Sequence, residues 1–345
     1  MKSLQKKLCI AAVLTGSAIF IISLFLLLGK SENPYKGLLL VLGLLLAGGG
    51  IFKFPFKKHK SIMNIVFLFP MLFTFALTVL VPFVIGIFYS FTDWNGIKFS
   101  NFVGFENYIT MFSSPDYLYS FVITVIFTAI NMIAVNVVAF SLALLGASNL
   151  KGTGFYRAAY FIPNLIGGIV LGYVWQFIFN KAFVAVFEGS RSMLTDPNLA
   201  ILAILIVSTW QYAGYIMMIY LTGLQSLPRD VLEASSVDGA SGIKTLFKIK
   251  IPMIANTFTV CIFLTLVNSF KQFDLNFAIT NGAPSRILGG KAIQSTSFLA
   301  LNIYNTAISK NQYALGQTKA VIFFIILAII SLTQVAISKK KEVEL

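Results

Sequence analysis

Long apolar runs, separated by shorter polar segments, set the pattern of this chain. Eight runs lie at roughly 8–28, 37–54, 62–91, 119–146, 156–179, 199–224, 253–273 and 314–337. Each is near the ~20 residues that an apolar helix needs to cross the hydrocarbon. Lys2, Lys6 and Lys7 precede the first run, and no small-residue cleavage site follows it, so it reads as a span and not as a signal peptide. Gly48-Gly49-Gly50 in the second run predicts a close helix approach. Pro70 and Pro82 predict kinks in the third. Pro163 and Gly167-Gly168 predict that the fifth is a broken helix. Polar stretches of roughly 93–118 and 274–313 interrupt the pattern.

Composition agrees with the periodicity. The 345 residues are 57% hydrophobic and 11% charged, against about 25% charged in soluble domains. The net charge of +14 reflects membrane topology and not nucleic-acid binding. With the N-terminus inside, sixteen of the 26 Lys and Arg fall on the inner side, including Lys57, Lys58, Lys151 and Lys339-Lys340-Lys341. Seven of the twelve acids fall outside. Both termini are therefore expected in the cytoplasm. The single His59 lies among lysines, and Cys9 and Cys261 lie within apolar runs, so neither a metal site nor a disulfide framework is expected.

One polar island stands out between the sixth and seventh runs, over about 225–252. Leu227-Pro228-Arg229-Asp230 reads as a helix start. Gly239 ends that helix, and a second short helix carries Leu246, Phe247 and Ile249 to Pro252. A connecting loop this structured suits a docking element.

The island resembles the "EAA" loop of binding-protein-dependent ABC importer permeases, an E-A-A-x-x-D-G-A run followed by I-x-x-P. Glu233, Ala234, Asp238, Gly239, Ala240, Ile249 and Pro252 match, and Ser235 replaces the second Ala. Further stretches resemble the carbohydrate-uptake subgroup, in the type of the larger maltose-permease subunit. They are Phe91-Thr92-Asp93-Trp94, Phe102-Val103-Gly104-Phe105-Glu106-Asn107-Tyr108, Arg157-Ala158-Ala159-Tyr160-Phe161-Ile162-Pro163, Trp175-Gln176-Phe177-Ile178-Phe179-Asn180 and Thr280-Asn281-Gly282-Ala283-Pro284. The last departs from the family's T-x-G-G-P.

The resemblance implies an all-α polytopic membrane protein of about eight spans. A six-helix type I importer core over 60–340 would follow two extra N-terminal helices over 1–59, with a short cytoplasmic tail over 341–345. It implies a bacterial plasma-membrane permease that imports a sugar or oligosaccharide. The expected partners are a second, homologous permease in a heterodimer, an ATP-binding-cassette ATPase dimer inside, an extracellular or periplasmic sugar-binding protein, and membrane lipid. Glu233, Ala234, Ser235, Asp238, Gly239 and Ala240 would couple to the ATPase. The chain has no G-x-x-x-x-G-K-[ST] run, so it is expected to bind no cofactor, with ATP and Mg used by the partner.

A neutral polar solute asks for hydroxyl, amide and aromatic groups with few charges. Ser208, Tyr212 and Tyr215 share one helical face of the sixth run. Thr265, Ser269 and Gln272 share one face of the seventh, and Asn164 and Gly168 lie beside the Pro163 kink. The resemblance implies that these eight face the sugar; the alternative is hydrogen bonding between helices. Lys271 and Asp274, three residues apart, are expected to pair. A permease for another polar solute is the nearest alternative. An ion-coupled secondary transporter would need intramembrane acids, and runs four to six and eight contain none.

Overall fold

The computed structural model describes residues 2–28, 35–53, 59–148, 152–187 and 191–339. Lys57, Lys58, Lys151, Lys340, Lys341 and the tail lie outside them. The chain divides into two compact units, Met1–Val84 and Ile85–Leu345.

In the first unit, α1 (Lys2–Leu28) packs along α2 (Lys36–Lys53), followed by α3 (His59–Phe75) and a π turn, Ala76–Leu80. The α1–α2 contact runs through glycine. A Cβ on Gly16 would lie 2.3 Å from the Ala47 nitrogen, and one on Gly43 would lie 2.6 Å from that of Phe20. Of the predicted Gly48-Gly49-Gly50 contact, only Gly50 faces α1; the other two open onto free space. α4 (Val81–Ser90) carries the third run into the second unit.

The second unit continues with α5 (Glu106–Phe112), α6 (Pro115–Gly146), α7 (Thr153–Leu165), α8 (Gly168–Phe177), α9 (Phe183–Val186) and α10 (Pro197–Gln225). The short helices α11 (Arg229–Val237), α12 (Gly242–Thr245) and α13 (Ile251–Met253) then lead to α14 (Ala255–Phe270). Beyond lie α15 (Asp274–Ile279), an antiparallel hairpin of β1 (Ser285–Leu288) and β2 (Lys291–Gln294), α16 (Leu299–Tyr304) and α17 (Tyr313–Lys339). Among the described residues the remaining regular elements are helical, apart from an isolated Thr92–Phe102 bridge.

Among the described residues, six stretches are long and apolar enough to cross a membrane, within 7–26, 67–90, 115–146, 168–186, 197–225 and 313–338. Gly242–Met253 and Ala255–Phe270 form a seventh, bent by 74°, and Gly37–Gly50 is a shorter apolar helix. These eight follow the order of the eight apolar runs. The fifth run is broken where Pro163 and Gly167-Gly168 predict, but its bounds need correcting: the span is 168–186 and not 156–179, because the chain turns extended at Ile166 (ψ 128°) and Gly167 (ψ 133°), leaving α7 a separate helix.

The core of this unit sits between α6 and α10. Val135, Ala139 and Ala143 meet Ile216, Met217, Tyr220 and Leu221, all buried. Small residues on α6 let the two backbones come close. The predicted polar stretch 274–313 is not a solvated loop. Leu275, Asn276, Ser295, Thr296 and Leu299 are buried, and Asn276 Nδ2 donates to the Thr296 carbonyl at 2.6 Å. Its polar residues pair with one another, which is why a sparse apolar pattern still folds inward.

Candidate functional site

The break between α7 and α8 builds the wall of a cavity. Gln211 on α10 donates from Nε2 to the Ile166 carbonyl at 3.2 Å, satisfying a group that the helix break has freed. Around this point lies a polar cavity of about 240 Å³, lined by Asn164, Gly168, Gln211, Tyr212, Gln272 and Asp274 among others. Four of the eight residues expected to face a solute thus meet in one place: Asn164, Gly168, Tyr212 and Gln272. Gln272 is 4% exposed and its Nε2 has no hydrogen-bond partner. A buried amide in that state is costly unless a water or ligand completes it.

Three others are engaged between helices. Asn131 Nδ2 on α6 donates to Ser208 Oγ at 3.0 Å and to Ser269 Oγ at 2.7 Å, joining α6, α10 and α14. One layer away, Asn136 Nδ2 donates to Thr265 Oγ1 at 2.8 Å, and Tyr220 donates to Asn136 Oδ1 at 2.7 Å. These are the interhelical hydrogen bonds that the helical facing alone left open. Tyr215 packs against the apolar core beside them.

Two kinds of residue were not foreseen. Asn131 and Asn136 are amides within an otherwise apolar run, a visible signal that spacing on α10 and α14 does not reveal. Asp274 lines the cavity and crowds Gly168, where an added Cβ would lie 2.7 Å from the Asp274 Cβ. Among the described residues no ion pair joins it to Lys271, which corrects the expected pairing. Lys271 follows the end of α14, and the chain has turned into α15 before Asp274.

At the other end of α10 sits the polar island. α11 ends in a Schellman arrangement: Ala240 N donates to the Ser235 carbonyl at 3.0 Å and Gly239 N to that of Ser236 at 3.1 Å. Gly239 has φ +70°, a left-handed conformation that strains any side chain. Ser241 then caps α12 by accepting from Lys244 N. Leu227 and Leu232 seat this element against the α6–α10 core. Ser235 is buried, while Glu233, Ala234 and Asp238 are exposed and Ala240 is half-buried. Val237, Ile243 and Phe247 are 86%, 74% and 64% exposed. Exposed apolar residues set among charges make this loop a candidate interaction surface.

Membrane spans, a polar cavity at a broken helix and an exposed helical loop define a polytopic membrane permease. The chain belongs to the family described as binding-protein-dependent transport system inner membrane component, whose model matches residues 139–342. It is 40% identical to the probable starch degradation products transport system permease protein AmyD of Thermoanaerobacterium thermosulfurigenes, over 84% of this chain and 99% of that protein. It is 31% identical to the multiple sugar-binding transport system permease protein MsmF of Streptococcus mutans, over 76% of this chain and 90% of that one. Its fold is similar to a subunit in the crystal structure of a bacterial ABC transporter involved in the import of alginate. That likeness has a TM-score of 0.68 at 17% identity, over 81% of this chain and 98% of the other.

Proposed function

We propose that this chain is the permease subunit of an ATP-binding-cassette importer that takes up a carbohydrate delivered by an external binding protein. One observation carries the mechanism: the exposed α11–α13 element runs through a 74° bend into α14, and Gln272 of the cavity lies two residues beyond the end of α14. Movement of the loop by an ATPase would be transmitted along α14 to the cavity, reorienting it between two states. Glu233, Ala234, Ser235, Asp238, Gly239 and Ala240 form the docking element. ATP and Mg are used by the ATPase dimer, and this chain contributes no catalytic residue. A second, homologous permease completes the pathway as a heterodimer. Both termini face the cytoplasm, the side on which the ATPase binds.

The chemistry of the cavity favours a neutral solute. Its lining combines amides, a phenol and backbone with the apolar Leu165, Ile166 and Leu275, and its one charged side chain, Asp274, is negative. That charge opposes an anionic phosphate ester, although this chain is also 28% identical to a glycerol-3-phosphate permease of Agrobacterium fabrum over 70% of its length. Asn164, Gly168, Tyr212 and Gln272 are assigned to the solute. Ser208, Thr265 and Ser269 hold the helices that present it, with Tyr215 packed behind.

The test is reconstitution of the chain with its partner permease, ATPase and binding protein in vesicles. Maltotriose that stimulates ATP hydrolysis and accumulates inside supports the reading. Stimulation by glycerol 3-phosphate alone would replace it with the phosphate-ester alternative.

A further inference from the structure

The short helix α5 presents three faces to three surroundings. Asn107, Tyr108 and Met111 point into the protein. Asn107 Nδ2 donates to the Ser90 and Thr92 carbonyls, both at 2.9 Å, and the Tyr108 hydroxyl meets Ser90 Oγ at 2.7 Å. Met111 is fully buried. Glu106, Thr110 and Ser113 form an exposed polar stripe. Phe105, Ile109 and Phe112, at helical spacing, form an exposed apolar stripe at 68%, 66% and 52%. A helix wholly in water has no use for the third face, and one buried in protein has none for the second.

We propose that α5 lies in the outer membrane–water interface, with the Phe105–Ile109–Phe112 stripe in lipid, and anchors the outer ends of two spans. Three features select lipid as the occupant. Only Ser113 and Ser114 separate α5 from α6, a span, so its height is fixed at the mouth of that span. At the same end of α6, Leu118 and Val122 are likewise apolar and exposed. Nearby Phe102 is 69% exposed, and aromatic residues concentrate at membrane interfaces. Three spans lie between this segment and the α11 loop, which places α5 on the opposite side from ATPase docking. The buried face of α5 holds Ser90 at the end of α4, and Thr318 of α17 donates to the Ser90 carbonyl at 3.2 Å. Lipid contact at α5 therefore fixes the outer ends of α4 and α17.

Spin labels on single cysteines in the full chain test this, with Cys9 and Cys261 replaced by Ala and the protein in nanodiscs of phosphatidylcholine and phosphatidylglycerol. Accessibility to oxygen, which partitions into lipid, is compared with that to a water-soluble nickel chelate. Ile109→Cys and Phe112→Cys should show an oxygen-to-chelate ratio several-fold above that of Glu106→Cys and Thr110→Cys. Equal ratios at all four sites would overturn the proposal, since the stripe would then face water. Exclusion of both reagents at 109 and 112 would overturn it too, by showing that protein covers the stripe. If a labelled variant fails to insert, bromolipid quenching of Phe112→Trp decides between the same outcomes.

Discussion

Gln272 and Glu233 lie on either side of α14 and serve it in opposite states. Gln272 is almost wholly buried with an amide left open, whereas Glu233 is exposed on a helix whose C-terminal end is closed by backbone hydrogen bonds. Asn131 and Asn136 spend their amides on hydroxyls of facing helices, whereas Gln272 at the cavity keeps its amide nitrogen open. The loop closes the C-terminal end of α11 on itself and leaves Glu233 and Asp238 exposed. A substitution in the interior should therefore act on stability or on solute, and one in the loop on coupling alone.

The largest expected effect breaks that comparison on the loop side. Gly239→Val forces a left-handed side chain, at a cost of roughly 1–2 kcal/mol, and Glu233→Lys reverses a charge on the docking face. Together they should abolish uptake while membrane level and pairing with the second permease remain normal. Parallel measurement of membrane level, ATPase co-purification and sugar uptake checks this; full uptake would remove the docking role.

Next comes the interhelical network. Asn131→Leu leaves Ser208 and Ser269 without their donor, and interhelical hydrogen bonds in membranes are worth about 0.6 kcal/mol each, up to about 1.7. Thermal unfolding in detergent should fall by a few degrees, with the apparent sugar affinity unchanged in the surviving protein. A selective loss of affinity would move these residues to the solute.

Gln272→Leu should do the reverse. It removes a hydrogen bond to a neutral ligand, worth about 0.5–1.5 kcal/mol, so uptake and sugar-stimulated ATP hydrolysis should fall a few-fold to about tenfold. Stability should hold or rise, because an unpaired buried amide is lost. Transport kinetics like those of the parent chain would take Gln272 out of the site.

The smallest effect concerns the outer loop. Backbone N–H groups of Asn101 and Ser100 donate to Asp93, at 2.9 and 2.7 Å, and hold its carboxyl below the ordinary value. The stabilisation is present above the unfolded value, near pH ~4, and is lost as pH falls through the lower folded value. Amide exchange at Ser100 and Asn101 should therefore stay slow at neutral pH and quicken only in strong acid. In Asp93→Asn it should be fast throughout; unchanged protection would show that the backbone alone closes this loop.

The sequence by itself determined the apolar runs, their order and the helix–Gly–helix form of the 225–252 island. Each depends on local physics: an apolar run long enough for the bilayer, a Gly where the chain must turn left-handed, and a capping pattern readable within twenty residues. Gly239 and the eight apolar runs needed no tertiary information. Helical spacing also placed Ser208 and Ser269 on shared faces with Tyr212 and Gln272, but spacing cannot say what a face meets. Only the tertiary structure decided that Asn131, far away in the chain, takes both hydroxyls. It also brought Asp274 to Gly168 and folded 274–313 inward. Those outcomes depend on which polar groups find partners across helices, and in a low-dielectric interior each unpaired donor or acceptor is costly, so the global arrangement settles them.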